Sequence, residues 1–123
     1  MPTLLIVDEK PSAERFKEIL EEQGFTCWTA SKAADAARLL AQQKPDLLLL
    51  DPHLELDRTF YAEHLELIQA AKRASPATKV CVLCADPGTD SQAKASGADA
   101  CFDKVSSFID VIQTLKALSG QKA

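Results

Sequence analysis

Five short apolar runs alternate with segments of helical spacing along the chain, and this alternation limits the possible folds more than any other feature of the sequence. The runs cover residues 3–7, 25–30, 47–50, 80–85 and 100–103. Runs this short and this continuously apolar are typical of strands buried on both faces of a parallel sheet. Because crossovers between parallel strands are right-handed, the pattern predicts a doubly wound α/β fold with a five-stranded parallel sheet and five helices. The expected strand order is 2-1-3-4-5, one of the two common doubly wound orders.

The helical segments differ in how clearly the sequence defines them. Ser31 is a candidate N-cap for an alanine-rich second helix. The charged stretch 52–62 fits no element, and a third helix is expected after it. The polar segment 90–96 predicts a weak fourth helix, whereas an amphipathic fifth helix is expected to begin at Ser106 or Ser107.

Length, composition and charge exclude several classes of function. A chain of 123 residues has the usual size of one domain, so we expect residues 1–123 to form a single domain without a second module. The net charge is −4 and no cluster of Lys and Arg is present, which argues against binding to nucleic acid or anionic lipid. No apolar run is long enough to span a membrane, and the N-terminus lacks the layout of a signal peptide. These features together predict a cytoplasmic protein.

All four cysteines, Cys27, Cys81, Cys84 and Cys101, lie in or at the end of a predicted strand. Since no secretory signal is present, we expect reduced core thiols and not a disulfide framework. Cys81 and Cys84 have C-x-x-C spacing, but residues three apart on a strand point to opposite faces of the sheet. These two thiols alone are therefore not expected to form a metal site or a redox pair.

Acidic residues follow two of the predicted strands at the point where each strand ends. Asp8 and Glu9 come directly after the first strand, and Asp51 comes directly after the third. In the order 2-1-3-4-5 these strands are neighbours, so the three carboxylates should converge at one edge of the sheet. Two like charges about 4 Å apart cost on the order of 4 kcal/mol at an effective dielectric constant near 20. A hard divalent cation such as Mg²⁺, bound through one or two carboxylates and several waters, supplies the compensation.

A basic residue is expected at the same edge of the sheet. Lys104 follows the fifth strand, where its amine can reach the acidic crevice from the far side and meet an incoming anion. A metal, a carboxylate and a lysine together describe a site for phosphoryl transfer onto Asp51. A carboxylate is a weak nucleophile, so positioning and charge neutralisation must supply most of the catalysis.

Three segments of the chain, in this order and at this spacing, resemble the receiver domain of two-component response regulators. They are the LIVDE of residues 5–9, the KPDLLLLD of residues 44–51 and the GADACFDK of residues 97–104. Each segment is modest alone, but together they are specific, and the resemblance covers nearly the whole chain. It implies a flavodoxin-like receiver fold.

The resemblance also implies roles for individual residues. Asp51 corresponds to the phosphoacceptor, and Lys104 corresponds to the lysine that contacts the phosphoryl oxygens. A site for Mg²⁺ (or Mn²⁺) is implied at Asp51, with Glu9 as a direct ligand and Asp8 bound through water. The backbone carbonyl of His53 completes the implied set of metal ligands.

Both positions of the family's conformational switch carry cysteine in this chain. The family places Ser or Thr at the end of the fourth strand, where this sequence has Cys84, and a thiol is a weak hydrogen-bond donor. The switch aromatic of the fifth strand is replaced by Cys101, while Phe102 is expected to face the other side of the sheet. We interpret the two cysteines as compact core thiols, and the alternative is a redox-sensitive pair.

The resemblance implies a signalling protein and not an enzyme. The donor of the phosphoryl group would be a sensor histidine kinase or a phosphotransfer protein. The output would be a changed affinity for a downstream protein, through a surface formed by the fourth helix, the fifth strand and the fifth helix, where a homodimer could also form. No output domain is expected in this chain. The alternative is a degenerate receiver that acts as an interaction module without phosphorylation.

Overall fold

The computed structural model describes residues 2–8, 10–50, 58–84, 94–95, 97–103 and 108–119. Five parallel strands form one sheet in the order β2-β1-β3-β4-β5, as the sequence predicted. The strands are β1 (Thr3–Val7), β2 (Thr26–Ala30), β3 (Leu47–Leu50), β4 (Lys79–Cys84) and β5 (Ala100–Asp103). The helices within the described ranges are α1 (Lys10–Glu22), α2 (Ala33–Gln43), α3 (Arg58–Ala74) and α4 (Phe108–Leu118).

The central strand β3 explains why the apolar runs do not alternate with polar residues. Leu48 and Leu50 pack into one apolar cluster, which also contains the buried side chains of α2 and α3. Leu47 and Leu49 pack into a second cluster on the opposite face, with buried side chains of α1 and α4. Each of these four leucines is at most 1% exposed. Because helices cover both faces of the sheet, every position of this strand is a core position.

The N-terminus of α2 differs from the expectation. The N-cap position is Lys32, with φ −127° and ψ 146°, and no side chain caps the helix there. Ser31 lies one residue too early, because the N-cap side chain must reach the amide of the second or third helical residue. The prediction of Ser31 as the N-cap was therefore wrong.

The third helix begins earlier than expected. It starts at Arg58, inside the charged stretch 52–62 that the sequence pattern left unassigned, and residues 51–57 lie outside the described part. Of the polar helix predicted for 90–96, only residues 94–95 are described, and both are helical. None of the helices in the described part of the chain is long and apolar enough to cross a membrane.

The segment between α2 and β3 joins three strands at their N-terminal ends. Lys44 ends α2 in a left-handed conformation (φ 44°), and its amide donates to the carbonyl of Leu40. The Asp46 Oδ2 atom accepts from the amide of Thr3 at 2.9 Å, while the amide of Asp46 donates to the Thr3 hydroxyl at 2.9 Å. The carbonyl of Asp46 accepts from the amide of Lys79. Asp46 therefore ties β3 to both of its neighbours, β1 and β4.

An ion pair joins α3 to the segment that precedes β5. The Lys72 Nζ atom donates to Asp99 Oδ2 at 2.5 Å and to the carbonyl of Thr78 at 3.0 Å. The two charged side chains are 27% and 26% exposed, so water screens their attraction only in part. Nearby, the fully buried hydroxyl of Thr78 contacts the Ser75 hydroxyl at 2.6 Å and donates to the Pro45 carbonyl at 2.5 Å.

Asp99 should contribute stability that depends on pH. Partial burial by itself would raise the pKa of Asp99, but hydrogen bonds from Lys72 and the Val80 amide, with the charges of Lys72 and Lys79, lower it below 3.8. A carboxylate with a lowered pKa stabilises the fold above its unfolded-state pKa, and this contribution disappears as the pH falls through the folded-state pKa. We expect Asp99→Asn to lower the free energy of unfolding at neutral pH, and the difference from the wild type to shrink below about pH 3.8. Urea titrations across this range measure it; a difference independent of pH would contradict the assignment.

Candidate functional site

The register of β1 and β3 determines which residues lie side by side where the two strands end. Val7 and Leu50 are Cα partners and are the last residues of their strands. The next residues in the sequence are Asp8 and Asp51, and neighbouring strands lie about 4.8 Å apart. Asp51 itself lies outside the described residues. The register supports the predicted convergence of these two carboxylates, which stays a prediction.

Asp8 is almost completely buried at the end of β1. It is 1% exposed, and its amide donates to the carbonyl of Ala30 at 3.1 Å, which extends the ladder between β1 and β2 by one hydrogen bond. An ionised carboxylate is expensive to bury unless hydrogen bonds or a positive charge stabilise it. A hard carboxylate oxygen at this depth is a ligand of the kind that divalent cations such as Mg²⁺ prefer.

Asp8 also lines a cleft of about 270 Å³ at the carboxyl ends of β1 and β2. The walls of this cleft come from α1, the end of β2 and α2, and their residues are Ala13, Glu14, Thr29, Ala30, Ser31, Asp35, Arg38 and Leu39. Arg38 pairs with Asp35 at 3.3 Å on the rim, where both side chains are largely exposed. This pair was not predictable as part of a site, because the i, i+3 spacing of opposite charges is common on exposed helix surfaces.

Most of the predicted phosphorylation site lies outside the described residues. This holds for Glu9, Asp51, His53 and Lys104, so their roles stay predictions. The strand that leads to Lys104 is described, because β5 ends at Asp103. Within the described ranges, no group of three or more His, Cys, Asp and Glu side chains could hold a metal ion.

The comparison with protein families decides which class of α/β protein this is. The sequence matches the family model of the response regulator receiver domain over residues 4–116. The chain belongs to this family. Within it, the nitrogen assimilation regulatory protein NtrX of Azorhizobium caulinodans is 33% identical over 81 residues. That match covers 65% of this chain but 17% of NtrX, so the chain spans a small part of the length of this relative.

Solved structures agree with the receiver fold. A response regulator from Thermotoga maritima is 25% identical, with a TM-score of 0.82, and the match covers 98% of this chain and 99% of that one. A response regulator from Burkholderia pseudomallei, solved with a phosphorylated aspartic acid, a calcium ion and citrate, is 24% identical with a TM-score of 0.81. That match covers 98% of this chain and 69% of the other. The predicted five-stranded receiver fold is therefore confirmed.

The cysteines of this receiver domain are core thiols where the structure describes them. Cys27 and Cys81 are 6% and 0% exposed, and Cys101 is half-buried against the cluster on the α2 and α3 face. Phe102 packs into the cluster on the opposite face, as predicted. Cys84 ends β4, but its side chain lies outside the described part.

The register of β4 and β5 bears on the alternative of a redox pair. Cys101 is the Cα partner of Val82, whereas Cys84 is the partner of Asp103. Cys84 and Cys101 are therefore offset by two residues on neighbouring strands, which corresponds to about 8 Å between their Cα atoms. Disulfides usually need about 4.4–6.8 Å between Cα atoms. A direct bond between these cysteines would require the backbone to move, so the register favours two core thiols.

Cys27 and Cys81 should resist alkylation in the native protein. Burial first, and the charge of Glu21 second, raise the pKa of the Cys27 thiol to about 11. Burial and the charge of Asp99 raise the pKa of the Cys81 thiol to about 12. At mildly alkaline pH almost none of either thiol would be ionised, and the thiolate is the reactive form. We expect peptide mass spectrometry after iodoacetamide treatment to detect labelling of these two residues at the rate of global unfolding; labelling at the rate of an exposed thiol would contradict this.

Proposed function

We propose that this receiver domain accepts a phosphoryl group on Asp51 from a sensor histidine kinase or a phosphotransfer protein, with Mg²⁺ at the adjacent acidic site. The observation that supports the proposal is the pairing of Val7 with Leu50, because the next residues in the sequence are Asp8 and Asp51. The burial of Asp8 at this edge supports a site built for a cation.

The residues at this edge fit a hard divalent metal ion. Asp8 offers a buried carboxylate, and the family resemblance adds Glu9, Asp51 and the carbonyl of His53, which are all oxygen donors. Mg²⁺ and Mn²⁺ both take such ligands. When bound, the metal would neutralise the clustered carboxylates and the charge of the incoming phosphoryl group.

The transfer itself needs a nucleophile and a positively charged side chain from the protein, and we assign these roles to Asp51 and Lys104. A carboxylate oxygen of Asp51 forms a bond to phosphorus, and the bond between phosphorus and the donor atom breaks. That donor atom is the imidazole nitrogen of a phosphohistidine or the bridging oxygen of an acyl phosphate, and the leaving group takes the bonding electron pair. Lys104, directly after β5, would hold the phosphoryl oxygens by charge-assisted hydrogen bonds.

The consequence of phosphorylation would be a change in protein interactions. Receiver domains are signalling modules, and we infer that this one changes its affinity for a downstream protein through the surface of β5, α4 and the segment between β4 and β5. The same surface would serve a homodimer if one forms. A donor kinase of this type presents its phosphoryl group inside the cell, which fits the cytoplasmic location that the sequence predicts.

A second candidate function is an interaction module that works without phosphorylation. The observation that favours it is Cys84 at the end of β4, where the family has Ser or Thr. A thiol donates weak hydrogen bonds, so it would hold the phosphoryl group less firmly than a hydroxyl does.

Intact-mass analysis separates these functions. The protein is incubated with a small acyl phosphate, in Mg²⁺ or in a chelator of divalent cations, and its melting temperature is measured in both buffers. We expect a mass gain of one phosphoryl group that requires Mg²⁺. Thermal stabilisation by Mg²⁺ without a mass gain would support the second candidate. The absence of both effects would contradict the metal site itself.

A further inference from the structure

The strand that leads to Lys104 needs a device that defines its register. β5 has four residues and lies at the edge of the sheet, beside β4. A slip of one residue along β4 would exchange the faces of Cys101 and Phe102 and would move Lys104 by about 3.3 Å. Such slips are hard to prevent by backbone hydrogen bonds alone in a short strand, because every register offers the same backbone groups.

Asp99 supplies a contact that is specific to one register. Its amide donates to the carbonyl of Val80 at 2.8 Å, and its Oδ2 atom accepts from the amide of the same Val80 at 2.8 Å. The first Cα pair between β4 and β5, Cys81 with Ala100, comes one residue later on each strand. The Asp99 carboxylate thus takes the place of a strand carbonyl at the start of the ladder by accepting from the Val80 amide, while the backbone amide of Asp99 donates to the Val80 carbonyl.

A contact from helix α3 also holds the Asp99 Oδ2 atom in place. Lys72 on α3 donates to Asp99 Oδ2 at 2.5 Å and to the Thr78 carbonyl at 3.0 Å, directly before β4. Gly97, two residues before Asp99, has a φ of +115°, and a Cβ atom there would be in ordinary van der Waals contact with Lys72 Cγ at 3.4 Å and with a methyl group of Ile68 at 3.8 Å. A side chain at this φ would be strained whatever the available space. The Asp99 Oδ2 atom is therefore held both by Lys72 of α3 and by the Val80 amide of β4.

We propose that Asp99 is a positioning residue that sets the register of β5 on β4 and thereby places Lys104 for phosphoryl transfer. The effect on transfer rests on the proposed function, whereas the effect on register does not. The register puts Asp103 beside Cys84 at the carboxyl edge of the sheet, and Lys104 is the next residue in the sequence. Asp8 lies at the end of β1, on the far side of β3, and its metal site should not depend on this contact.

Four substitutions separate the two bonds of the carboxylate. Asp99→Ala removes both, and Lys72→Met removes the ion pair together with the hydrogen bond from Lys72 to the Thr78 carbonyl. Asp99→Asn keeps an oxygen for the Val80 amide at the same reach, and Asp99→Gln moves that oxygen outward by one methylene group. The readouts are hydrogen exchange of the β5 amides relative to the β1 amides, the rate of phosphoryl uptake from a small acyl phosphate, and the dissociation constant for Mg²⁺.

If Asp99 sets the register of β5, these four variants should fall into two groups. In Asp99→Ala and Asp99→Gln, protection of the β5 amides should fall at least about tenfold relative to the β1 amides. Phosphoryl uptake should slow by at least about tenfold, since small misplacements of a catalytic group are costly. In Asp99→Asn and Lys72→Met, both values should stay within about threefold of the wild type once global stability is allowed for. The dissociation constant for Mg²⁺ should change less than about twofold in all four.

The proposal is overturned if β5 protection in Asp99→Ala falls only in proportion to global stability, or if Asp99→Asn behaves like Asp99→Ala. If the alanine variant does not fold, the comparison of Asn with Gln decides, because the two carry the same amide group. Failure of the proposed function has a different signature: the wild type then takes up no phosphoryl group. The exchange measurement would still test the register in that case.

Discussion

Asp8→Asn is expected to stabilise the metal-free receiver domain and, at the same time, to remove most of its response to Mg²⁺. Asp8 is 1% exposed and follows a strand whose last residue pairs with the residue before Asp51, so we expect repulsion between the two carboxylates when no cation is bound. Asparagine has nearly the same shape without the charge. We expect a higher melting temperature in chelator and a dissociation constant for Mg²⁺ that rises at least about tenfold, equivalent to about 1.4 kcal/mol. Thermal unfolding across a Mg²⁺ titration measures both.

Glu18→Gln is the matched control for this substitution. It changes the net charge of the domain by the same amount, but Glu18 is exposed on α1, away from the carboxyl edge of the sheet. Its melting temperature should differ little from that of the wild type in either buffer. A loss of stability of Asp8→Asn in chelator, or an unchanged response to Mg²⁺, would contradict the description of Asp8 as part of a cation site.

Leu48→Ala is expected to cost about 2–5 kcal/mol of unfolding free energy. Leu48 is completely buried in the middle of the central strand, within the cluster between the sheet and the α2 and α3 helices. The substitution removes apolar contacts and leaves a cavity that β strands on both sides prevent from closing. Because small domains have a total stability of about 5–15 kcal/mol, a large fraction of the variant's molecules would unfold in mild denaturant.

Urea titration followed by Trp28 fluorescence measures this loss. Trp28 is the single tryptophan of the chain, and it packs, partly buried, against the same cluster. Ile109→Ala is the control, since Ile109 is 66% exposed on α4 and its removal should change stability by less than about 0.5 kcal/mol. Equal transition midpoints for the two variants would show that the cluster around Leu48 is not the core.

The fold was predictable because its signal is local and repeated. The four consecutive leucines of β3 are typical of a strand covered on both faces, and the structure places them alternately in the two apolar clusters. The N-terminal end of α2 was not predictable to the residue. Ser31 and Lys32 are neighbours, and a one-residue difference in where the helix begins decides which of them is the N-cap.

The candidate site was predictable in part for a similar reason. Asp8 directly follows an apolar strand, and carboxyl ends of parallel strands meet at one edge of the sheet, so its position at that edge follows from the pattern, whereas its nearly complete burial does not. The contacts of Asp46 with Thr3 and of Asp99 with Lys72 were not predictable, since they join residues 43 and 27 positions apart. Such contacts depend on how distant parts of the chain pack together, which the local spacing of residues does not specify.

Locating the phosphoryl group within the chain decides whether Asp51 is the phosphoacceptor. The wild-type protein and Asp51→Asn are incubated with Mg²⁺ and a small acyl phosphate, and fragment masses identify the modified residue. We expect the wild type to carry one phosphoryl group on Asp51 and the variant to carry none. A phosphoryl group on any other residue of the wild type, or an equal mass gain in Asp51→Asn, would contradict the proposal.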